Sequence, residues 1–326
     1  MLFSRWLWAR TGALTLLLLP FSALFAAAAA LRRLAYRRGW LAAVRVGVPV
    51  IIVGNITAGG SGKTPLAIWL VNHLRARGYR PGVVSRGYGG HARGSVDVSA
   101  IQSPAEVGDE PLLIHLKTGV PVVVGRDRVA AARTLLARHP GVDLIVADDG
   151  LQHYRLARDL ELVVVDAAAG FGNGWPLPAG PLREPRSRLQ TADALIQVVR
   201  PGAQPRDLAA WRADFVAGRA WCLRTPETRR SLEELPRGEW LAATGIGRPE
   251  GFFDLLAIHG VRFTPRAFPD HHAFTVADLP ADGRVLMTEK DAVKCRNFAG
   301  ADWWAVELEA VPEPAWVDWL DARIPR

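Results

Sequence analysis

Short apolar runs without strict alternation recur along the first two thirds of the chain, and helical patterns separate them. These runs occupy residues 49–53, 82–85, 120–124, 144–147, 162–165 and 195–199. Apolar runs that lack a period of two are typical of strands buried on both faces of a parallel sheet. The helical patterns between them include residues 65–77 and 127–138. The pattern therefore predicts a doubly wound, mostly parallel α/β fold.

The second half of the chain has a different pattern. Residues 170–188 are rich in glycine and proline, which predicts a long loop without regular structure. From about Ala209 the segments become tryptophan-rich, and strands are predicted at 240–243, near 261–263 and at 285–288, with helices at 249–259 and 314–323. We therefore expect three parts: an N-terminal membrane-associated helix (1–35), the main domain (36–208) and a smaller α/β domain (209–326).

An apolar stretch at residues 11–31 is about as long as the ~20 residues that span a bilayer. Arginines flank it on both sides, at positions 5 and 10 before it and 32, 33, 37, 38 and 45 after it. The excess on the C-terminal side predicts that this side stays in the cytoplasm. A cleaved signal peptide is the alternative, and a helix that lies in one leaflet, kinked at Pro20, is a third possibility.

Composition excludes a disordered polymer, since 49% of the 326 residues are hydrophobic. The net charge of +8 suits nucleic acid, anionic lipid or a phosphorylated substrate, and does not choose among them. Only four residues are lysine (Lys63, Lys117, Lys290 and Lys294), so a lysine within a motif carries more information than usual. Cys222 and Cys295 have neither metal-ligand spacing nor the numbers of a disulfide framework, which favours a reducing compartment.

A glycine-rich segment directly follows the first apolar run and precedes a helical pattern. It reads Gly54-Asn55-Ile56-Thr57-Ala58-Gly59-Gly60-Ser61-Gly62-Lys63-Thr64. Such a loop directs backbone N–H groups at phosphate oxygens, while Lys63 reaches the β- and γ-phosphates and the Thr64 hydroxyl binds Mg²⁺. Thr57 stands where the strict motif has glycine. The sequence predicts a nucleoside triphosphate site, with a chance glycine-rich linker as the alternative.

Polar clusters follow the other predicted strands, at the edge where doubly wound sheets bind their ligands. Asp148 and Asp149 end the fourth apolar run, as an acidic Mg²⁺-binding strand end does, although either could cap a turn. Asp109 and Glu110 precede a helical pattern, where they could cap the helix or orient and deprotonate a hydroxyl nucleophile.

Two clusters in the last third of the chain also carry candidate chemistry. Adjacent His271 and His272 would point to opposite faces of a strand, so one of them could pair with a carboxylate across the cleft, or both could be structural. Thr288-Glu289-Lys290-Asp291 is either a strand-to-helix turn or a nucleotide or interdomain contact. Its adjacent lysine and aspartate do not have the spacing of a guanine-binding element, which disfavours a GTPase.

These motifs together resemble the tetraacyldisaccharide 4′-kinase (lipid A 4′-kinase) family. The resemblance is carried, in order along nearly the whole chain, by residues 54–65, 85–89, 107–111, 148–153, 268–272 and 288–294. It implies a P-loop NTPase-like kinase domain over 36–208. It also implies Mg²⁺-dependent transfer of the ATP γ-phosphoryl group to the 4′-hydroxyl of an acylated glucosamine disaccharide 1-phosphate, at the cytoplasmic face of the bacterial inner membrane.

The resemblance also implies roles for individual residues. Asp109 resembles a general base tuned by His271, with Lys63 and Arg128 also catalytic. Residues Thr57, Ala58, Gly59, Gly60, Ser61, Gly62, Lys63 and Thr64 would bind the nucleotide, and Thr64, Asp148 and Asp149 the metal. Supporting residues would be Arg86, Tyr88, Glu110, Gln152, His153 and Lys290. Charge alone suggests that Arg183, Arg186 and Arg188 meet the acceptor 1-phosphate.

The implied partners are the lipid substrate and an anionic membrane surface, contacted peripherally or through a single helix. No nucleic-acid partner is expected. The alternative function is a membrane-associated P-loop ATPase switch without a small acceptor, which shares the loop and the lipid affinity. Such a switch has no use for a second domain that carries Asp270-His271-His272.

Overall fold

The computed structural model describes residues 8–324, and its strands join into one 13-stranded sheet. In chain order the strands are β1 (Val50–Gly54), β2 (Pro81–Ser85), β3 (Val96–Asp97), β4 (Val122–Val124), β5 (Leu144–Asp148), β6 (Leu160–Asp166), β7 (Ala194–Val199), β8 (Trp211–Cys222), β9 (Arg229–Arg230), β10 (Trp240–Thr244), β11 (Phe263–Ala267), β12 (Val285–Thr288) and β13 (Trp303–Pro312). Their order across the sheet is β11-β10-β12-β13-β8-β7-β6-β1-β5-β2-β4-β3, and β9 pairs with β8. Most pairs are parallel, so the predicted fold class is confirmed.

Eight α-helices connect and cover the strands within the described residues. They are α1 (Ala13–Arg37), α2 (Lys63–Ala76), α3 (Pro104–Val107), α4 (Asp109–Thr118), α5 (Arg128–Arg138), α6 (Glu250–Ile258), α7 (Glu289–Cys295) and α8 (Pro314–Asp321). Three short 3₁₀ helices lie at Arg186–Thr191, Leu232–Glu234 and Arg296–Phe298. The first of them overlaps the end of the 170–188 segment, where no regular structure was predicted.

Strand β1 shows why the apolar runs lack alternation. Ile51 and Val53 pack into one core cluster with Leu66, Leu70 and Leu74 of α2. Val50 and Ile52 point the other way, into a second cluster with Val129 and Leu135 of α5. Helices therefore cover both faces, and every position of β1 is buried.

The ligand crevice of this sheet lies beside β1. Strand β1 pairs in parallel with β5 on one side and β6 on the other, so the connections diverge at this point. Open α/β sheets bind ligands beyond the carboxyl ends of the strands at such a switch point. The glycine-rich loop after β1 and the carboxylates after β5 consequently lie side by side.

The two longest strands, β8 and β13, were not predicted. They pair antiparallel with a register shift between Val306 and Leu308, and β8 also pairs in parallel with β7. Their exposure alternates irregularly and both carry charged residues, so neither is an uninterrupted apolar run. These strands join the first half of the sheet (β1–β7) to the second (β10–β13). The predicted domain limits, 36–208 and 209–326, stay a prediction.

Helix α1 is the one helix within residues 8–324 that is long and apolar enough to cross a membrane. Its fully buried side chains are the hydroxyl residues Thr15 and Ser22, whereas Leu17 and Leu24 are about 70% exposed. The face that meets the protein is thus small or polar, and the face that meets solvent is apolar. Such a helix presents its hydrophobic side to an apolar phase outside the protein.

Contacts along α1 attach it to the globular part at several levels. Trp8, just before the helix, donates its indole N–H to the Pro178 carbonyl, at an Nε1–O distance of 3.1 Å. Ser22 contacts the same loop, and the ring of Tyr36 lies 5.9 Å from that of Tyr154. The helix therefore runs along the protein surface. Arg5 and the other residues before Trp8 lie outside the described part of the predicted 1–35 segment.

Candidate functional site

The glycine-rich loop leads directly into α2, which begins at Lys63. Gly62 has a left-handed backbone (φ +76°), and a Cβ there would lie 2.8 Å from the ring of Phe215 on β8. Only glycine fits both demands. Lys63 and Thr64 therefore begin α2 at the amino end of its dipole, where anions bind.

Thr57, which departs from the strict motif, has a structural role. It forms an antiparallel bridge with Leu182, while Ala58 N–H donates to the Pro181 carbonyl (2.7 Å) and Arg183 N–H donates to the Ile56 carbonyl (2.7 Å). Among the described non-glycine residues, only Asp149 and His271 have positive φ, so Thr57 needs no strained backbone. The start of the phosphate loop is thus an extended segment paired to the 176–183 loop.

Lys63 lies among acceptors at the mouth of the phosphate loop. Its Nζ is 3.3 Å from Asp149 Oδ1 and 3.2 Å from Asn55 Oδ1. Arg183 Nη1 contacts the Asp149 carboxylate from the other side, at 3.3 Å. Burial opposes ionisation of Asp149, but these two cations outweigh it and hold the pKa of Asp149 well below its usual value. Asp149 is consequently ionised and paired with both Lys63 and Arg183.

Asp148 differs from its neighbour, although both end the same strand. Its Oδ2 accepts a hydrogen bond from Ser85 Oγ (3.2 Å), whereas its buried Oδ1 has no hydrogen-bond partner. Burial, together with the negative charge of Glu110, raises the pKa of Asp148 to about 7. A buried carboxylate oxygen without a partner fits a divalent cation, which would restore the ionised form. Asp148 therefore fits a metal better than Asp149 does.

No group of three or more His, Cys, Asp and Glu side chains suited to a metal occurs in the described part of the chain. Mg²⁺ commonly uses one or two carboxylates and takes its other ligands from phosphates and water. Asp148 and the Thr64 hydroxyl fit that limited demand.

Arg128 is almost fully buried behind the carboxylates. Its Nη1 donates to the Gly125 carbonyl (2.6 Å) and its Nη2 to the Asp148 carbonyl (3.4 Å), while Nε has no partner. Burial lowers its pKa to about 10, partly offset by the charges of Asp148 and Asp149. Arg128 remains a cation and fixes the backbone at the end of β5.

The second centre of the site joins the two halves of the sheet. Asp109, only 4% exposed, begins α4, and its Oδ2 lies 3.1 Å from Nδ1 of His271 in the other half. Gly108 permits this arrangement, since its φ is +90° and a Cβ would lie 2.7 Å from the Tyr88 carbonyl oxygen. Asp109 Oδ1 accepts from the Glu110 N–H of the first helical turn (2.9 Å), whereas Oδ2 faces His271. Asp109 therefore supports the helix end with one oxygen only, and the catalytic role of its other oxygen stays a prediction.

Two lysines from α7 surround this pair. Lys290 Nζ lies 3.0 Å from Glu110 Oε1 and 3.9 Å from Asp109 Oδ2, and Lys294 Nζ lies 3.8 Å from Asp109 Oδ2. Burial favours a neutral Asp109, but the hydrogen bond with His271 and the charges of both lysines lower its pKa. The carboxylate is thus ionised at neutral pH.

The tautomer of His271 follows from its neighbours. Its Nε2 lies 3.5 Å from Lys290 Nζ, which can only donate. Nε2 is therefore the acceptor, and Nδ1 carries the proton that is donated to Asp109. His272 instead stacks on Phe268 and faces Asp278, so His271 is the histidine that faces the cleft.

A cleft of about 190 Å³ opens between the segments that follow β2 and β4. Its walls include Arg86, Tyr88, Arg126 and the acidic residue Glu106, with glycines between them. The ring of Tyr88 lies 5.0 Å from that of His271. The cleft is therefore lined by charged and polar groups, and Tyr88 connects it to the Asp109–His271 pair.

Gln152 and His153 follow the two carboxylates at the end of β5. Gln152 Nε2 donates to the Asn55 carbonyl (3.0 Å) and to Glu184 (2.9 Å). Burial, with the charges of Arg128 and Arg86, lowers the pKa of His153 to about 4, so its imidazole is neutral. The supporting roles of both residues stay predictions.

The three arginines suggested to bind the acceptor phosphate have different partners in the structure. Arg188 is buried and bound to Glu161 (2.6 Å) and to the hydroxyl of Tyr154, so it is not placed to meet a ligand. Arg186 lies over the ring of Phe171, and Arg183 is held by Asp149. Charge alone misjudged Arg188 because a pattern of arginines does not reveal which ones have internal carboxylates.

Several site residues were not singled out from the sequence. Asn55 and Ser85 contact Lys63 and Asp148, and Lys294 approaches Asp109. The scarcity of lysine could have identified Lys294, because three of the four lysines of the chain (63, 290 and 294) lie in this site. Asn55 and Ser85 carried no comparable signal, because both residue types are common in turns.

Residues 14–325 match the family model described as Tetraacyldisaccharide-1-P 4′-kinase. The chain is 68% identical over 321 residues to a protein of Thiobacillus denitrificans named tetraacyldisaccharide 4′-kinase, with 98% of each chain covered. It is 50% identical over 325 residues to a protein of the same name from Pseudomonas paraeruginosa, which covers 97% of this chain and 95% of that one.

A solved structure also matches over most of the chain. It is LpxK from Aquifex aeolicus in complex with ATP, with a TM-score of 0.79 and 28% identity. The match covers 95% of this chain and 99% of the Aquifex chain.

Proposed function

The chain belongs to the tetraacyldisaccharide-1-P 4′-kinase family, and from that premise we propose how its residues perform the reaction. The activity is transfer of the ATP γ-phosphoryl group to the 4′-hydroxyl of a tetraacylated glucosamine disaccharide 1-phosphate, which gives a lipid A precursor. The enzyme is thus a lipid kinase of lipopolysaccharide biosynthesis.

The observation that carries the assignment of roles is the Asp109–His271 pair across the two halves of the sheet. Phosphoryl transfer to an alcohol needs a carboxylate that orients the hydroxyl and accepts its proton. Asp109 is ionised and is held by His271 at 3.1 Å, and the ring of His271 contacts Tyr88 in the wall of a polar cleft. Asp109 is therefore the general base, and His271 fixes its orientation.

The phosphate loop and its neighbours bind ATP. Backbone N–H groups of residues 59–64 cradle the phosphates, and Lys63 leaves Asp149 to neutralise charge on the β- and γ-phosphates. Arg183 keeps Asp149 paired when Lys63 moves. Thr64 and Asp148 would hold Mg²⁺, which supplies charge neutralisation to the phosphates; the partnerless Asp148 Oδ1 supports this choice.

Helix α1 is proposed to lie in the cytoplasmic leaflet of the inner membrane. Ser22 is about 14 Å along the helix from Ala13, yet it is fully buried against a loop of the globular part. A spanning helix would carry that loop into the hydrocarbon, where its backbone polar groups could not be solvated. The exposed apolar face and the flanking arginines fit an anionic bilayer surface.

These contacts also favour a retained helix over a cleaved signal peptide. Ser22 satisfies both a carbonyl and an N–H of the 176–179 loop, and Trp8 satisfies the Pro178 carbonyl. Removal of this segment as a leader would break all three of these hydrogen bonds. An acceptor that is itself a lipid would reach the site from the leaflet that contains α1.

The proposed activity is tested with purified full-length protein, γ-labelled ATP and the acylated disaccharide 1-phosphate in detergent. Label in the lipid is the expected result. Release of free phosphate alone, without labelled lipid, would instead indicate an ATPase switch. Omission of Mg²⁺ should abolish lipid labelling, whereas full activity in a chelator would contradict the role given to Asp148 and Thr64.

Substitution of Lys290 is expected to shift the pH dependence of kcat/KM. The folded-state pKa of Asp109 is lowered, so activity should be present at neutral pH and decline only as the pH falls through that pKa. Lys290→Met removes a charge 3.9 Å from Asp109 Oδ2, which raises this pKa and moves the acid limb of the profile to higher pH. Lys290→Arg, which keeps the charge, is the matched control. An unmoved acid limb in Lys290→Met would contradict the electrostatic role.

A further inference from the structure

The only serine of α1, Ser22, makes two hydrogen bonds to a loop that is remote in sequence. Its Oγ donates to the Pro176 carbonyl (2.9 Å) and accepts from the Ala179 N–H (2.9 Å). The side chain is 1% exposed, although the residues on either side of it, Phe21 and Ala23, are exposed. A hydroxyl in this position does not bond to its own helix; it joins the membrane helix to residues more than 150 positions away.

The loop that Ser22 holds is the one that borders the phosphate loop. Within it, Gly180 N–H donates to the Pro176 carbonyl (2.9 Å), and Asn173 Nδ2 donates to the Ala179 carbonyl (2.9 Å). Leu177 and Leu182 are joined by a further backbone bond (2.8 Å). These bonds make residues 173–182 one tightly connected unit.

The far end of this unit meets the nucleotide site at three points. Ala58 N–H donates to the Pro181 carbonyl, Arg183 N–H donates to the Ile56 carbonyl, and Thr57 bridges Leu182. Arg183 continues the path to Asp149. Residues 179–182 are thus hydrogen-bonded to the lipid-facing helix at one end and to the backbone that precedes Gly59 and Gly60 at the other.

We propose that Ser22 is a positioning residue for ATP binding, which couples the seating of α1 on the membrane to the geometry of the phosphate loop through residues 173–183. The inference rests on the proposed function for the identity of the nucleotide. The phosphate loop is rich in glycine and intrinsically mobile, so its outer strand needs a fixed neighbour. Ser22 holds residues 173–183 in place, because it lies on the helix that the bilayer retains.

Removal of the hydroxyl gives the first test. Ser22→Ala leaves the Ala179 N–H and the Pro176 carbonyl buried without this partner, and such losses generally correspond to a factor of about 5 to 100 in an equilibrium. We expect Ser22→Ala to raise the Kd and the KM for ATP by about 5- to 30-fold. The KM for the lipid acceptor should change by less than about 3-fold, since the cleft near Asp109 does not depend on these bonds.

The chain offers a matched control on the same helix. Thr15 is also fully buried, but its hydroxyl bonds only to Gly12 N–H (3.2 Å) and to the Arg10 carbonyl (3.4 Å). Thr15→Ala loses a buried hydroxyl from α1 without the loss of a hydrogen bond to the loop. It should therefore leave the affinity for ATP unchanged, and Ser22→Thr, which keeps a hydroxyl, should recover most of the affinity lost in Ser22→Ala.

A second measurement does not need catalysis. Amide hydrogen exchange of Ala58 and Arg183 reports the two bonds between the loop and the phosphate loop. Exchange at both should accelerate in Ser22→Ala and not in Thr15→Ala, with the full-length protein in the same detergent or in anionic vesicles.

The outcomes separate this inference from the proposed function. Equal ATP affinity and equal exchange in Ser22→Ala and Thr15→Ala would overturn the inference, whatever the activity. A wild-type protein that binds ATP but never labels the lipid would overturn the kinase activity, while the Ser22 comparison could still be read from nucleotide affinity and exchange. If Ser22→Ala fails to fold, Ser22→Cys takes its place, because a thiol fills the site but is only a weak donor and acceptor. Faster exchange at Ala58 in Ser22→Cys than in the wild type supports the inference, and unaltered exchange contradicts it.

Discussion

Replacement of Asp109 by alanine is expected to lower kcat by about 10²- to 10⁴-fold, the usual contribution of a positioned general base. The affinity for ATP should change little, since the phosphate loop, Lys63 and Asp148 make no contact with Asp109. The physical reason is that the base interacts with the hydroxyl proton in the transition state and not with the bound nucleotide. Steady-state kinetics with the lipid acceptor, combined with direct nucleotide binding, measures both quantities.

Two variants keep this result interpretable. Asp109→Asn preserves the shape of the side chain but cannot accept the proton, so it should lose as much kcat as Asp109→Ala with less disturbance of Lys290 and Lys294. Glu227→Ala removes an exposed acidic residue in the turn before β9, outside the cleft, and should behave like the wild type. Loss of nucleotide affinity in Asp109→Asn would show that Asp109 holds the metal or the fold and is not the base.

Replacement of Lys63 by methionine is expected to reduce kcat by about 10²- to 10³-fold, the range for removal of one preorganised charge-stabilising donor. Affinity for ATP should fall as well, because the ammonium group contacts the phosphates in the ground state. Lys63→Arg is not expected to restore activity, since a planar guanidinium does not replace a compact ammonium group in a close-fitting loop. Single-turnover phosphorylation of the lipid separates the loss in chemistry from the loss in binding.

The matched control for Lys63 is Lys117→Met. Lys117 also pairs with carboxylates, at 2.9 Å from both Glu289 and Glu307, but it lies between the two halves of the sheet and away from the phosphate loop. Its loss leaves two buried acids near each other, so it should lower the unfolding temperature more than it lowers kcat. A similar kcat loss in both variants would indicate that lysine removal acts through the fold.

Local chemistry made much of the first half of the sheet predictable. Strand β1 and the helix that starts at Lys63 follow from apolar runs and from glycine, lysine and threonine at fixed spacing. The strands β8 and β13 were missed because charged residues interrupt their apolar positions without a regular period, and their pairing with β7, β12 and each other places them in the sheet. Their existence depends on tertiary partners that no local pattern encodes.

The functional site shows the same difference between what a local sequence pattern predicts and what tertiary contacts decide. The sequence predicted that Asp148 and Asp149 act together, yet adjacent positions on one strand received opposite environments. Asp149 is paired with Lys63 and Arg183, whereas Asp148 is buried with a partnerless oxygen and a pKa raised to about 7. Arg188, predicted to face a ligand, is enclosed by Glu161 and Tyr154. Burial and partner choice arise only after the chain has folded.

The sequence by itself determined the fold class, the phosphate-binding loop, the apolar N-terminal segment and, through the order of its motifs, the kinase family. Each of these depends on residue types at short spacing, which fix backbone conformation and local chemistry directly. The tertiary structure decided that His271 faces Asp109 across 162 positions of sequence, that α1 lies along the surface and that Ser22 reaches the loop beside Thr57. Such contacts join distant segments, so their geometry follows from the packing of the whole sheet and not from any one stretch of the chain.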